Sequence, residues 1–329
     1  MRYIIIGAGA VGGAIGGRLF DSGHEVVLVA RGTHLDALRE HGLRLQLADR
    51  EKQLRIPAVE GPAELTARDD DVLVLGVKTQ DTPAVLDTWG AYGYGTGTGD
   101  RAGTGPAVVC AQNGVENERL ALRRFADVYG MCVWLPASFL EPGVVSALGA
   151  PLTGMLHLGR YPSGSDPTVR AIAADLTAAG FAAPVTEDVM AWKYAKLLGN
   201  LANAADAVLG PDEDARRELA ARARAEGVAA LDAAGIPYIG AEQQSRMRGD
   251  RVESPQAKHS STWQSLARGT GSIESDYLNG EIVLLGRRFG VPTPANEALR
   301  HAANRAARER RAPGELTAEE RAELLGAGN

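Results

Sequence analysis

Gly7, Gly9 and Gly12 stand at G-x-G-x-x-G spacing in "YIIIGAGAVGGAIGGRLF" (residues 3–20), directly after an apolar run and at the start of an amphipathic stretch, Val11 to Leu19. Glycines so spaced suit a pyrophosphate: the first permits a tight turn, the second lets backbone approach the phosphates, and the third lets a helix pack closely on the preceding strand. The amides around Ala10 and Val11 would then open a helix, where the dipole favours negative charge. The alternative is a glycine-rich turn whose extra glycines, Gly13, Gly16 and Gly17, serve helix packing. Far along the chain, in "AWKYAKLLGNLANAADAV", Lys196, Asn200 and Asn203 fall within roughly 60° of arc at about 100° per helical residue. A lysine and two amides on one face of a Leu/Ala-rich helix form either an exposed stripe or the wall of a polar site. Lys193 lies on nearly the same face but has no Asn four residues on.

These residues need elements to hold them. From residue 2 to about 180, short β-branched runs alternate with amphipathic stretches, the pattern of strand and helix units in a mostly parallel sheet with helices on both faces. The strand-like runs are "YIIIG" at 3, "EVVLVA" at 25, "DVLVLGV" at 71, "AVVCA" at 107, "VYGMCVW" at 128 and "MLHLG" at 155. Between the second and third, "LRLQLA" (43–48) and "KQLRIPAV" read as an antiparallel pair. Residues 90–106, dominated by Gly and Thr, read as a mobile surface loop, with a functional lid as the other use. Beyond 185 the composition turns to Ala, Leu, Arg and Glu at helical spacing. "LGPDED", "AGIPYIGAE" and "GVPTPANE" divide that region into helices, and Thr317 is expected to cap a short terminal one. The reading is therefore α/β, with a Rossmann-type domain over 1–184 and an all-helical domain over 185–329. The Ala/Leu-rich faces of the helical domain suit its own core or a homodimer.

At the end of the second strand of such a unit, Asp or Glu usually meets the ribose hydroxyls. This chain has Arg31. A guanidinium there suits the 2′-phosphate of NADP through a forked, charge-assisted contact, so NADP is expected over NAD. Otherwise Arg31 is an exposed charge at the start of the next helix, with Thr33 as its N-cap.

Composition excludes several classes. A formal charge of −6, evenly spread, lacks the basic stripe of a nucleic-acid surface. No apolar run approaches the roughly 20 residues needed to span a bilayer, and no signal peptide is evident, so a cytoplasmic protein is expected. Cys110 and Cys132 lie in apolar segments and read as buried thiols, and the six histidines are scattered singly. No metal site is expected.

Four further segments, "GVKTQDT" at 76, "AQNGVENE" at 111, "KLLGNLAN" at 196 and "SSTWQSLARGTGSIESDYLNG" at 260, make the sequence resemble the ketopantoate reductase family over nearly its whole length. The resemblance implies a Rossmann domain followed by a helical domain, and reduction of a small 2-oxo acid by NADPH in pantothenate biosynthesis. It implies Lys196 as general acid and Asn200 as a substrate-binding amide. Lys78 and Asn113 then serve the cofactor side, with Asn113 near the nicotinamide ribose and the reacting carbonyl. Glu274 binds the substrate hydroxyl and Ser261 its carboxylate. Lysine suits its role, because hydride arriving at the carbonyl carbon builds negative charge on oxygen that an ammonium can stabilise and protonate.

Three features depart from the family pattern. The stretch from Ser261 to Glu274 is one residue longer, which leaves Thr262 as an alternative to the serine. Asn203 follows Asn200 by three residues rather than four. Trp192 stands four residues before Lys196 rather than two. The Asn203 shift motivates the alternative of a paralogue acting on another 2-oxo acid or ketone. A non-catalytic NADP(H)-sensing protein is the reading from a different class.

Overall fold

In the computed structural model, residues 1–93, 105–253 and 259–326 are described. They form two compact units, Met1–Trp192 with Ala241–Ala257, and Lys193–Gly240 with Lys258–Asn329. The division falls later than the compositional change at 185. Most of the glycine-rich stretch at 90–106 lies outside the described residues.

The first unit is built on β1 (Arg2–Ile6), α1 (Ala10–Asp21), β2 (Glu25–Val29), α2 (Gly32–His41), β3 (Leu43–Leu47), β4 (Glu51–Leu54), β5 (Ala58–Val59) and β6 (Asp71–Leu75). There follow α3 (Thr82–Trp89), β7 (Ala107–Cys110), α4 (Asn117–Leu122), β8 (Val128–Trp134), β9 (Ala137–Glu141), β10 (Val144–Ala147), β11 (Ala150–Pro151), β12 (Met155–Arg160) and α5 (Pro167–Ala178). The main sheet has the order β12-β8-β7-β6-β1-β2-β5. Only the β12–β8 pair is antiparallel. All six strand-like runs read from the sequence are strands of this sheet.

Its central strands are buried on both faces, and their side chains alternate between two apolar clusters as the period of two requires. Tyr3, Ile5, Val72, Val74 and Val109 join one cluster with Ile15 of α1 and Ile172 of α5. Ile4, Ile6, Leu73, Leu75 and Val108 join the other with Leu86 and Trp89 of α3 and Ala121 of α4. At the amino ends of β1 and β6 the buried pair Arg2–Asp71 is bidentate, at 2.7 and 2.8 Å, and Tyr92 donates to the same carboxylate at 2.9 Å. Removing one member would strand a buried charge, at a cost of about 3–5 kcal/mol.

A second, four-stranded sheet of order β4-β3-β10-β9 covers α1 from outside. The expected antiparallel pair is present as β3 and β4, in register Leu43↔Leu54. "KQLRIPAV" does not continue as one strand, however. Pro57 has no N–H to extend the ladder, its carbonyl accepts from Leu28 at 2.9 Å, and Ala58–Val59 pass to the edge of the main sheet. The β9–β10 pair turns at Pro142–Gly143 and was not anticipated from the sequence.

The second unit receives the end of α6 (Val189–Asn200) and contains α7 (Ala202–Val208) and α8 (Glu213–Ala234). The segment α9 (Ala241–Arg248) and β13 (Val252–Glu253) belongs instead to the first unit, where β13 pairs with β11. The chain then adds α10 (Ser261–Ala267), α11 (Asn279–Phe289), α12 (Pro294–Arg308) and α13 (Ala318–Gly326). Thr317 and Glu320 form the capping box of α13: Glu320 N–H donates to the Thr317 hydroxyl at 3.2 Å, and Thr317 N–H to the Glu320 carboxylate at 2.9 Å. A Cβ on Gly227 of α8 would come within 2.8 Å of Leu198 and Leu201, so this glycine sets the approach of α8 to α6. No helix among the described residues is long and apolar enough to cross a membrane. Cys110 and Cys132 are buried and not joined in a disulfide.

His157 of β12 stacks on Trp192, with ring centroids 3.8 Å apart, and neither ring nitrogen finds a hydrogen-bond partner among the described residues. Burial pushes its pKa down to about 4. The unfolded chain takes up this proton below about pH 6.5. The stability conferred by a neutral ring is therefore complete above pH 6.5 and is lost as pH falls towards 4, by up to about 1.4 kcal/mol per pH unit. Urea titrations from pH 7 to 4.5 should show a steeper decline for the wild type than for His157→Phe. Equal declines would refute the assignment.

Candidate active site

Three glycines, three different surroundings, define the loop after β1. Gly7 has φ 98°, and a Cβ there would meet Val77 and Gly76 of the loop after β6 at 2.7–2.9 Å. A Cβ on Gly12 would run into the carbonyl oxygen of Gly7 and, at 2.9 Å, into Ile5. Gly9, at the cap of α1, has nothing within 4 Å of a Cβ position. The first and third glycines are therefore required by packing, whereas the second borders open space beside the first-turn amides of α1, which have no intrahelical acceptors. That is the geometry a pyrophosphate cradle needs. The remaining glycines also do what the alternative reading assigned them: Gly16 lies against Ile5 and Leu28 of the main sheet, Gly13 against Val145 and Gly17 against Leu43 and Leu45 of the small sheet.

The sheet order brings the other first-unit candidates to the same edge. β1 is flanked by β2 and β6, so the chain reverses direction of winding at β1, and the carboxyl ends of β2, β1, β6 and β7 lie side by side. Arg31 follows β2 and is exposed. It occupies the cap position of α2, because Gly32, at φ 56°, starts that helix. Thr33, expected as the cap, therefore sits inside the first turn. Lys78 follows β6, at the start of a single 3-10 turn over Thr79–Asp81, and Asn113 follows β7.

A buried polar network joins the loops that carry Lys78 and Asn113. The Asn117 amide donates to the Thr79 hydroxyl and to the Asn113 carbonyl, both at 3.1 Å. Thr79 also donates to that carbonyl at 3.3 Å, and Thr82 donates to the Asn117 side-chain oxygen at 2.8 Å. Gln112 donates to Thr82 at 2.7 Å and to the Val77 carbonyl at 3.0 Å. Thr79, Thr82, Gln112 and Asn117 are all buried. Sequence reasoning took Lys78 and Asn113 from these segments and missed the four that hold them, because only the pairing of β6 with β7 brings positions about 35 residues apart into contact.

In the second unit, Lys196 and Asn200 lie one turn apart on α6, Lys196 half-buried and Asn200 buried. The Asn200 side-chain N–H has no partner among the described residues. Lys193 is more deeply buried than Lys196. Asn203 is not on the same helix. The Asn279 amide donates to the Leu201 carbonyl at 3.1 Å, and α6 and α7 are separated at this residue. Leu201 itself keeps helical dihedrals (φ −60°, ψ −25°) and donates to the Leu197 carbonyl at 3.1 Å. Lys196 and Asn200 thus share α6, and Asn203 lies on α7, which begins after the single residue Leu201.

Ser260 caps α10 by accepting from Trp263 N–H at 3.2 Å; it also donates to the Asn203 carbonyl at 3.3 Å, and its own N–H donates to Asp206 at 2.9 Å. The start of α10 is therefore tied to α7. Ser261 is exposed as the first residue of α10, and Thr262 is buried behind it. Glu274, half-buried, begins the short turn Ser275–Tyr277 and makes no capping bond with its side chain. Downstream of that turn, Asn279 also donates to Asn296 at 3.0 Å, and Asn296 donates to Glu226 at 2.7 Å. Glu226 accepts the Ala295 and Asn296 amides at 2.8 and 2.9 Å, so a carboxylate of α8 closes the amino end of α12. No group of three or more metal-ligating side chains occurs among the described residues.

Comparison with known proteins agrees with this architecture. A crystal structure of a PanE/ApbA family ketopantoate reductase from Ralstonia eutropha superposes with a TM-score of 0.75 and 28% identity, covering 94% of this chain and 99% of that one. The ternary structure of D-mandelate dehydrogenase with NADH and anilino(oxo)acetate has the same fold, with a TM-score of 0.80 at 22% identity and the same coverage. The 2-dehydropantoate 2-reductase of Mesorhizobium japonicum is 29% identical over 342 residues, spanning 94% of this chain and 99% of that protein. The family model for ketopantoate reductase PanE/ApbA matches residues 3–163, and that for its C terminal matches residues 188–307. The chain belongs to the ketopantoate reductase family of oxidoreductases.

Proposed function

We propose that this protein is an NADPH-dependent reductase of a small 2-oxo acid, with ketopantoate the leading substrate. The observation that carries the cofactor reading is the glycine loop, where Gly9 alone of its three motif glycines has open space around it. Bound there, the dinucleotide supplies hydride. The amides of Gly9, Ala10, Val11 and Gly12 face its phosphates, and Arg31, exposed at the end of β2, takes the 2′-phosphate. Lys78 and Asn113 hold the nicotinamide side, on loops fixed by the Thr79–Asn117 network.

On the substrate side, Lys196 donates the proton to the carbonyl oxygen as negative charge builds on it. Asn200, whose side-chain N–H has no partner among the described residues, offers that N–H to the substrate carbonyl. Glu274 takes the substrate hydroxyl and Ser261 its carboxylate. A second reading, a different 2-oxo acid or a ketone as substrate, is favoured by Asn203, which follows Asn200 by three residues where the family pattern has four, a difference of about 100° of helical arc.

Three measurements test these assignments. Gly9→Ala should keep the melting midpoint of the wild type while weakening NADPH binding at least tenfold; unchanged affinity would remove the loop from the cofactor site. Arg31→Ala should weaken NADPH by about 10- to 100-fold and leave NADH nearly unaffected, as loss of a charge-assisted contact of about 1.5–3 kcal/mol implies. Equal losses for both would assign Arg31 another role. Steady-state assays over a panel of 2-oxo acids should give ketopantoate a kcat/KM within the usual 10⁴–10⁸ M⁻¹s⁻¹ range. In the same assay Lys196→Ala should lose about 10²–10⁴ in kcat while still binding NADPH. Retained turnover in that variant would overturn Lys196 as the acid.

A further inference from the structure

His34, on the first turn of α2, contacts the glycine loop directly. Its two ring nitrogens have different partners, and those partners fix the tautomer. The Gly143 amide of the β9–β10 turn donates to Nδ1 at 3.0 Å. The Ala8 carbonyl lies 2.8 Å from Nε2 and can only accept, so Nε2 carries the hydrogen. Phe139 of β9 packs against the ring, with centroids 4.5 Å apart. The turn is seated on the same helix, since a Cβ on Gly143 would lie 3.2 Å from the Ala37 methyl. Burial holds the imidazole below its ordinary pKa, outweighing the Ala8 hydrogen bond. The ring is a neutral strut between two loops.

The Ala8 carbonyl belongs to the same peptide plane as the Gly9 amide. That bond is trans, since the cis peptides among the described residues are Ala150–Pro151 and Tyr161–Pro162. In a trans peptide the C=O and the following N–H point to opposite sides. The Ala8 N–H is itself anchored, donating to Val29 at 3.2 Å. A carbonyl held towards α2 therefore turns the Gly9 N–H away from α2, and accepting a hydrogen bond polarises that amide and strengthens it as a donor. Gly9 is also the position in the motif with open space beside it.

We propose that His34 is a positioning residue that aims the Gly9 amide at the phosphates of the bound dinucleotide. The inference rests on the dinucleotide reading given above. It adds a residue outside the glycine motif, delivered by α2 and braced by the β9–β10 turn. It also gives that turn a part in cofactor binding.

Two substitutions divide the strut in half. In His34→Asn the side-chain oxygen can reach the place of Nδ1 and accept from Gly143, but nothing donates to Ala8. In His34→Gln the side-chain nitrogen can reach the place of Nε2 and donate to Ala8, but the acceptor for Gly143 is lost. NADPH dissociation constants, read by fluorescence well below each variant's melting midpoint, should rise about tenfold in His34→Ala and His34→Asn, the worth of one aligned hydrogen bond. His34→Gln should stay within about threefold of the wild type, although all three variants melt earlier. Unchanged affinity in His34→Ala, or equal weakening by Asn and Gln, would overturn the proposal and leave His34 a structural residue. A wild type that fails to bind NADPH would instead sink the dinucleotide reading on which it rests.

Discussion

The close approach of α1 to β1 governs the arrangement of the first unit. Helix and strand can meet as they do because Gly12 presents no side chain to the Gly7 carbonyl and Gly16 none to Ile5 and Leu28. Any Cβ at Gly12 would push the helix outward, and with it the first-turn amides that stand beside Gly9. The same helix is pressed from its other side by the small sheet, where Gly13 and Gly17 allow Val145, Leu43 and Leu45 to close on it. A helix packed on two faces, with glycines at its closest contacts and Ile15 and Leu19 buried in the core, has little freedom to shift, because interiors at crystal-like density yield little. The position of its amino terminus is thereby fixed before any ligand arrives, which is what an electrostatic cradle requires.

Around that fixed point the protein uses buried polar side chains as ties. In the first unit Thr79, Thr82, Gln112 and Asn117 join two loops at adjacent strand ends. In the second unit Asn279, Asn296 and Glu226 join α8, α11 and α12 to the junction of α6 and α7. Each network replaces water contacts with bonds of defined direction, so each adds more to geometric precision than to net stability. Both lie next to proposed functional residues rather than among them: Thr79 follows Lys78, and Leu201 follows Asn200.

Much of the fold was legible in the sequence because its signals are local. Strand runs such as "DVLVLGV" are apolar throughout, as central parallel strands must be, and the glycine motif declares both its turn and its helix. Thr317 was recognisable as a cap from Glu320 three residues on. What escaped was non-local or turned on a single backbone group. Pro57 diverted the end of "KQLRIPAV" to another sheet, Gly32 displaced the cap of α2 from Thr33 to Arg31, and Asn279 at the start of α11 bonds the Leu201 carbonyl between α6 and α7. The candidate residues themselves came from motif and resemblance. Their supports did not, because a hydrogen bond between Thr82 and Gln112 leaves no periodicity to read.

In the proposed reading, the start of α2 gives two tasks to two residues, Arg31 at its cap and His34 in its first turn. Arg31, which is exposed, would there contribute charge, which salt screens and which would distinguish cofactors by one phosphate. His34 is half-buried, neutral and held by two directional bonds, so in that reading it contributes orientation and is indifferent to which dinucleotide is present. Cofactor preference can then change by substitution at Arg31 alone, without disturbing the glycine loop. A change at His34 would weaken both cofactors together. Placing the selective group at the helix cap and the orienting group one turn inside lets each answer to a different physical force.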